Sequence, residues 1–415
     1  MSADTDPAPR IAFAFTGQGA QYPGMTGRLY VGHPGYRHHL DTVADALRPY
    51  TGTSIADLIL RGDLRIHQTG FTQPAMFAVE YALAATLLDA GVRPIAVLGH
   101  SIGEFAAAVI GGALTLEDAA LLVAMRGALM QYLPTGGGML AVRAAPDEIA
   151  DLLEHEPQAG IGAFNGPRAT VLSGDLGALD RIHDELARRG VLSRPLQVSH
   201  GFHSPLMAPM LPRFAPVAAR VQARAARLAF YSTVHGRELF DGEALDADYW
   251  TRHIGAPVRF DQAARRLLAD QRPHFVLEIG PKPVLANLFK ALAGRDGPAC
   301  LPVCRGEETD AAALAAVIGG LGIGRDEADD DPVRAAVYAS VAELVDDPSV
   351  VIGPDLALRG DLGFDSVMVM QLTFQLERRL PAVGKLSVPD MLDSLVTPAT
   401  VVEYLRTQLS ADLAA

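Results

Sequence analysis

A serine between two glycines, Gly99-His100-Ser101-Ile102-Gly103, follows the apolar run Ile95 to Leu98 and precedes the helical EFAAAVIGG. A strand turning sharply into a helix at paired glycines lifts such a serine to the helix head. There, backbone N–H groups and the positive helix end face any oxyanion formed on it. A glycine-rich turn with an incidental serine fits this stretch equally well. A nucleophilic serine needs a base, and QVSHGFHSPLM carries His200 and His203. Spacing alone does not choose between them, and a lone histidine is more often a satisfied core or surface residue. Arg126 in AMRGALMQ reads as a helix-surface charge when taken alone. Ser366 in GDLGFDSVMVMQL reads as a helix-capping serine. Cys300 and Cys304 lack the second half of a metal site and are expected to be small buried hydrophobes, with no metal bound.

Three blocks must position these groups. From residue 10 to 321, short β-branched runs (IAFAF, PIAVLGH, ATVLSG, LAFYST, HFVLEIG) alternate with alanine- and leucine-rich helical patterns such as TQPAMFAVEYALAATLLDAG and LEDAALLVAMRGALMQYL. The alternation predicts an α/β layer architecture with a mainly parallel sheet. Within it, residues 136–197 read strand, helix, strand, strand, helix, strand, the order of a ferredoxin-like subdomain. Residues 1–9 are expected to be a disordered lead-in, with no secretory signal. The glycine- and acid-rich stretch 322–331 is expected to be a linker. Residues 332–409 predict an all-α four-helix bundle, its last helix opening with Thr397 as N-cap and Pro398 at the first position.

The chain has 415 residues and a net charge of −13. Residues 325–415 hold 16 acids against 7 bases, a net −9, so the preceding 324 residues carry only −4. This asymmetry argues against nucleic-acid binding and favours basic protein partners for the C-terminal block, through acidic side chains on its helix surface. No apolar run approaches a membrane span. Two cysteines suit a reducing, cytoplasmic location.

Seven segments then occur in order: FAFTGQGAQYPGM, GHSIGE, AMRGALMQ, AFNGPRATVLSG, HGFHSPLM, APVRF and LEIGPKPVL. Together they resemble the acyl-CoA:acyl-carrier-protein transacylase family, the malonyl transferases of fatty-acid and polyketide synthesis, over about three-quarters of the chain. The resemblance implies a hydrolase-like parallel-sheet domain with Ser101 as nucleophile and His203 as its base. The backbone N–H groups of Gln18 and Ile102 would form the oxyanion hole. Arg126 would grip a free carboxylate on the acyl group. A backbone carbonyl at Arg259 would orient the histidine. His100 receives no catalytic role. An aromatic ring at Phe202 goes with malonyl, because it fills the space an α-methyl branch needs. Gly201, which replaces an alanine, is expected to loosen that loop.

The stretch around Asp365-Ser366 resembles the attachment site of acyl carrier proteins. This implies covalent 4'-phosphopantetheine on Ser366, put there by a separate phosphopantetheinyl transferase. The implied function is transfer of malonyl from coenzyme A through a Ser101 ester to a carrier thiol. A tether able to span the sites raises local concentration to roughly millimolar and favours delivery to its own carrier in cis; because 322–331 is short, delivery between chains is the alternative. Elongation would need a ketosynthase or other synthase components, and other carriers could also be served. Three alternatives stand beside this reading: an acyl-carrier serine hydrolase that proofreads, a transacylase for another acyl group, and a degenerate scaffold.

Overall fold

The computed structural model describes residues 9–295, 297–322, 332–345, 356–391 and 394–412. The expected lead-in at 1–9 and linker at 322–331 lie almost wholly outside the described residues. Contacts divide the chain into two units, one up to Leu321 and one from Gly322 onward.

The first unit is built on a six-stranded sheet of order β10-β9-β1-β2-β7-β8. Its strands are β1 (Ile11–Phe15), β2 (Pro94–Gly99), β7 (Ala229–Ser232), β8 (Arg237–Glu238), β9 (Phe275–Ile279) and β10 (Ala299–Pro302). All neighbours pair in parallel except β7 with β8. β1 is wholly buried, as expected for a parallel strand covered on both faces. The helices Thr69–Asp89 and Leu116–Gln131 bury residues all round rather than along one stripe, so they form the interior of the unit.

A second sheet, of order β4-β5-β3-β6, comprises β3 (Gly137–Val142), β4 (Ala159–Gly166), β5 (Ala169–Asp175) and β6 (Ser193–Pro195). Its neighbours are all antiparallel. The helices Ala150–His155 and Leu176–Arg188 complete the ferredoxin-like order. Leu179, Ile182 and Leu186 repeat at helical spacing and pack on Leu140, Val142 and Leu172 of that sheet.

The second unit is all-helical among the described residues. It contains Pro332–Val345, Ser366–Arg379, the single turn Val388–Met391, and Pro398–Asp412. Val337, Val341, Leu372, Leu376, Val401 and Leu405 form its core. Thr397 Oγ accepts from the Thr400 backbone N–H at 3.3 Å, an N-cap bond at the start of the last helix.

Candidate active site

β2 ends at Gly99, and the helix Gly103–Ile110 begins four residues later. The turn is closed so tightly that both glycines are obligatory. A Cβ on Gly99 would stand 2.2 Å from the Glu104 backbone nitrogen, and one on Gly103 would stand 2.3 Å from the Thr16 carbonyl oxygen. Ser101 at the apex takes a left-handed conformation, φ 51°. That region disfavours an L-residue, and such strain marks a position over-determined by its surroundings.

His203 Nε2 lies 2.6 Å from Ser101 Oγ. Its Nδ1 lies 2.8 Å from the Ala256 carbonyl oxygen. A carbonyl only accepts, so Nδ1 carries the proton and the Nε2 lone pair faces the serine. Burial, then the Arg126 cation, pull the His203 pKa down to about 3, against the Ala256 bond. His200 does not reach the serine; its ring nitrogens contact Ser199 Oγ at 2.8 Å and the Leu133 carbonyl at 3.0 Å. His100 turns away to Asn165, at 2.8 Å.

The orienting carbonyl is that of Ala256, not Arg259. Arg259 caps the helix Phe260–Gln271, and its carbonyl accepts the first-turn bond from Ala263. The carbonyl that His203 Nδ1 reaches stands three residues earlier, just past the end of the helix Ala247–Gly255.

Arg126 projects from the helix Leu116–Gln131 and is 2% exposed. Its Nη2 lies 3.5 Å from Ser101 Oγ, and its buried Nε finds no partner among the described residues. Burial lowers its pKa from the usual guanidinium value, with Glu104 opposing. An unmet N–H on a buried cation beside a serine hydroxyl is suited to an anionic group. Ser101, His203, Arg126, Gln18, Ile102 and Phe202 all line one cleft of about 1160 Å³. Arg194 and Lys282 line it too.

Phe202 is 6% exposed, and its carbonyl accepts from Ser173 Oγ at 2.6 Å. Gly201 does not loosen this loop. A Cβ there would stand 3.0 Å from the Gly174 carbonyl oxygen and 3.3 Å from that of Gly138, so the missing methyl lets the chain lie close against β3 and β5.

The first unit also holds groups that sequence reasoning passed over. The Glu104 carboxylate accepts from the Thr233 backbone N–H at 2.5 Å, from Thr233 Oγ1 and from the Tyr249 hydroxyl. His253 Nε2 lies 3.1 Å from the Ser101 carbonyl oxygen. The available signal was weak: Tyr249 and His253 sit one turn apart in DYWTRHIG, which marks a helix face but no chemistry.

In the second unit Ser366 is exposed at the first position of its helix. The cap is Asp365 rather than Ser366; its carboxylate accepts from the backbone N–H groups of Val367 at 2.9 Å and Met368 at 2.8 Å. A carboxylate suits the positive helix end, and the serine hydroxyl is left to face solvent. The exposed large apolar side chains after it are Val367, Met370 and Phe374, each 60–64% exposed, beside exposed Gln371, Arg378 and Arg379. The expected acidic face is not found on this helix: its exposed side chains are mainly apolar at the start and basic in the last turn, and its only acid is Glu377.

Residues 12–319 match the acyl transferase domain family, and residues 335–405 match the phosphopantetheine attachment site family. The chain belongs to the acyl transferase domain family. Polyketide synthase GfsB of Streptomyces halstedii is 40% identical over 300 residues, which is 72% of this chain and 5% of that protein. The phenolphthiocerol synthesis polyketide synthase type I Pks15/1 of Mycobacterium marinum is 44% identical over 274 residues, 66% of this chain and 13% of that protein. The chain thus spans less than a fifth of the length of these relatives. Among solved structures, the acyltransferase domain from the second module of the salinomycin polyketide synthase superposes with a TM-score of 0.71 at 37% identity, covering 78% of each chain. The malonyl CoA-acyl carrier protein transacylase from Clostridium perfringens gives 0.68 at 25% identity, over 75% of this chain and 97% of that one.

The chain is therefore an acyl transferase domain followed by a carrier domain, a pairing that implies an acyl-CoA substrate and covalent phosphopantetheine. The residues present fit that group: an exposed primary hydroxyl at the head of a 14-residue helix suits a phosphodiester. Among the described residues no cluster of three or more His, Cys, Asp or Glu could hold a metal ion, and no helix is long and apolar enough to cross a membrane.

Proposed function

We propose that this acyl transferase moves malonyl from coenzyme A to a carrier thiol through an ester on Ser101. The observation that carries the reading is the convergence on Ser101 Oγ of His203 Nε2 and the buried, under-partnered Arg126. Arg126 holds the free carboxylate of the malonyl group. Ser101 Oγ attacks the thioester carbonyl while His203 Nε2 takes its proton. The N–H groups of Gln18 and Ile102 receive the oxyanion. The C–S bond breaks, and His203 returns the proton to the departing coenzyme A sulfur, leaving the ester. A second thiol entering the cleft gives its proton to the same imidazole and attacks the ester carbonyl; the C–O bond to Ser101 breaks, the acyl group passes to the thiol, and His203 returns the proton to Ser101 Oγ. Proton handling of this kind contributes about 10²–10⁴-fold. Arg194 and Lys282 supply positive charge along the cleft for the phosphates of coenzyme A.

Ser366 holds the phosphopantetheine, which when bound supplies an acceptor thiol. A phosphopantetheinyl transferase installs it, and a ketosynthase or other synthase component uses the loaded carrier. Phe202 supports malonyl over branched extender units, since its buried ring occupies cleft volume next to the base. Two buried, unpaired cysteines support a reducing cytoplasm. Residues 10–321 form the transferase and 332–409 the carrier, joined by 322–331.

Intact-mass analysis of the phosphopantetheinylated chain, offered malonyl-, methylmalonyl- and acetyl-CoA in competition, tests this. A malonyl adduct on Ser101 and then on Ser366, absent in Ser101→Ala and Ser366→Ala respectively, is expected. Free malonate with no carrier adduct would establish the hydrolase instead.

A further inference from the structure

His253 has a side chain only 1% exposed, and its hydrogen bond goes to the backbone of Ser101 rather than to Oγ. Its Nε2 faces the Ser101 carbonyl at 3.1 Å, and that oxygen also accepts the turn bond from the Glu104 backbone N–H at 2.9 Å. The carbonyl fixes the tautomer, so Nε2 carries hydrogen, while the buried Nδ1 has no partner among the described residues. Burial, then the nearby Arg126 cation, lower the imidazole's pKa well below the ordinary histidine value, although the Glu104 carboxyl stands 3.7 Å from the same Nε2.

His253 sits in the last turn of the helix Ala247–Gly255, three residues before Ala256. That helix is rigidly seated. Trp250 is wholly buried and stacks on Phe105 of the nucleophile helix, ring centroids 4.3 Å apart at 26°. The Tyr249 hydroxyl donates to Glu104, at the start of the same helix. The His253 ring meets Phe105 edge-on at 5.3 Å and His203 at 6.2 Å. One helix end thus touches both partners of the reaction, the Ser101 backbone through His253 and the His203 ring through the Ala256 carbonyl.

We propose that His253 is a positioning residue for acyl transfer: its Nε2–H holds the Ser101 carbonyl and with it the left-handed elbow, against the helix end that also sets His203. The inference rests on Ser101 being the nucleophile. A bond to the serine carbonyl acts on the direction of Oγ rather than on acyl-CoA binding. Its loss therefore falls on the rate of ester formation and leaves KM and acyl selectivity in place.

The test uses the full chain and a fluorophosphonate probe that labels Ser101 directly, with kcat and KM for malonyl-CoA and Tm as companions. His253→Phe keeps a ring among rings and removes the donor. Labelling and kcat are expected to fall on the order of 10- to 100-fold with KM unchanged, because small misplacements of a reacting atom cost that much. His253→Gln restores a donor and recovers most of the rate. If the phenylalanine variant melts early, His253→Gln against His253→Met makes the same comparison, and faster labelling by the glutamine variant supports the role. Wild-type labelling by His253→Phe, or equal rates for Gln and Met, overturns it. Labelling that persists in Ser101→Ala removes the nucleophile reading itself, and this inference with it.

Discussion

Ser101 and His203 meet at 2.6 Å, and both adopt left-handed backbone conformations, φ 51° and 56°. Each is pinned from behind: the serine by glycines that admit no side chain, the histidine by a carbonyl on its far nitrogen. For a residue with a Cβ such a conformation costs about 1–2 kcal/mol. Ser101→Gly and Ser101→Ala are both expected to abolish ester formation, but only glycine relieves the backbone. The glycine variant is expected to be about 1 kcal/mol more stable than the alanine variant in denaturant unfolding. Equal midpoints would show that the elbow is unstrained.

The His203 imidazole is neutral in the free protein well below the ordinary histidine range, because burial and the Arg126 cation push its pKa down to about 3. A base that stays neutral stays competent. Acylation of Ser101 by malonyl-CoA, measured as kcat/KM, is expected to remain level from pH 8 down to pH 5. A limb falling near pH 6.5 would contradict the buried setting of the ring. In Arg126→Ala the repelling cation is gone, and any acid limb moves to higher pH.

Arg126 is buried with an unmet Nε–H, and its Nη2 lies 3.5 Å from Ser101 Oγ. Arg126→Ala is expected to lower malonyl transfer about 10- to 100-fold, the loss of a charge-assisted hydrogen bond, and to narrow the preference for malonyl over acetyl. Arg126→Lys retains charge but not the planar fork, and recovers only part of the discrimination. Competition between the two thioesters, read by intact mass, measures it. Unchanged selectivity in Arg126→Ala would locate the carboxylate elsewhere.

The sequence made some parts legible and hid others for physical reasons. The parallel strands and the elbow were readable because their determinants are local: β-branched runs, and glycines spaced two residues either side of a serine. The orienting carbonyl was misplaced by three residues. Which carbonyl faces the histidine depends on the path of the chain between two helices: Ala256 ends one and Arg259 caps the next, and spacing does not choose between them. Asp365, not Ser366, caps the carrier helix, a contest between adjacent side chains that composition does not decide. His253 was invisible because a histidine one turn from a tyrosine looks like core until its nitrogen is seen against the Ser101 carbonyl.

Glu104, the residue closing GHSIGE, is wholly buried and raised to about 7 from an ordinary 4.5, chiefly by burial, while Thr233 and Tyr249 donate to it. A carboxyl whose folded pKa exceeds its unfolded value binds more protons when folded. Its contribution to stability is therefore fully present below about pH 4.5 and is lost as pH rises through 7. Glu104→Gln keeps an acceptor for Thr233 and cannot titrate. The Tm of the wild type is expected to fall relative to Glu104→Gln between pH 5 and pH 8, with a slope of at most about 1.4 kcal/mol per pH unit for one proton. The His203 contribution runs the other way, lost as pH falls from 6.5 toward 3, but it is common to both proteins and cancels in the difference. Parallel melting curves across that range would mean that Glu104 is already ionised in the fold, and that its three donors outweigh its burial.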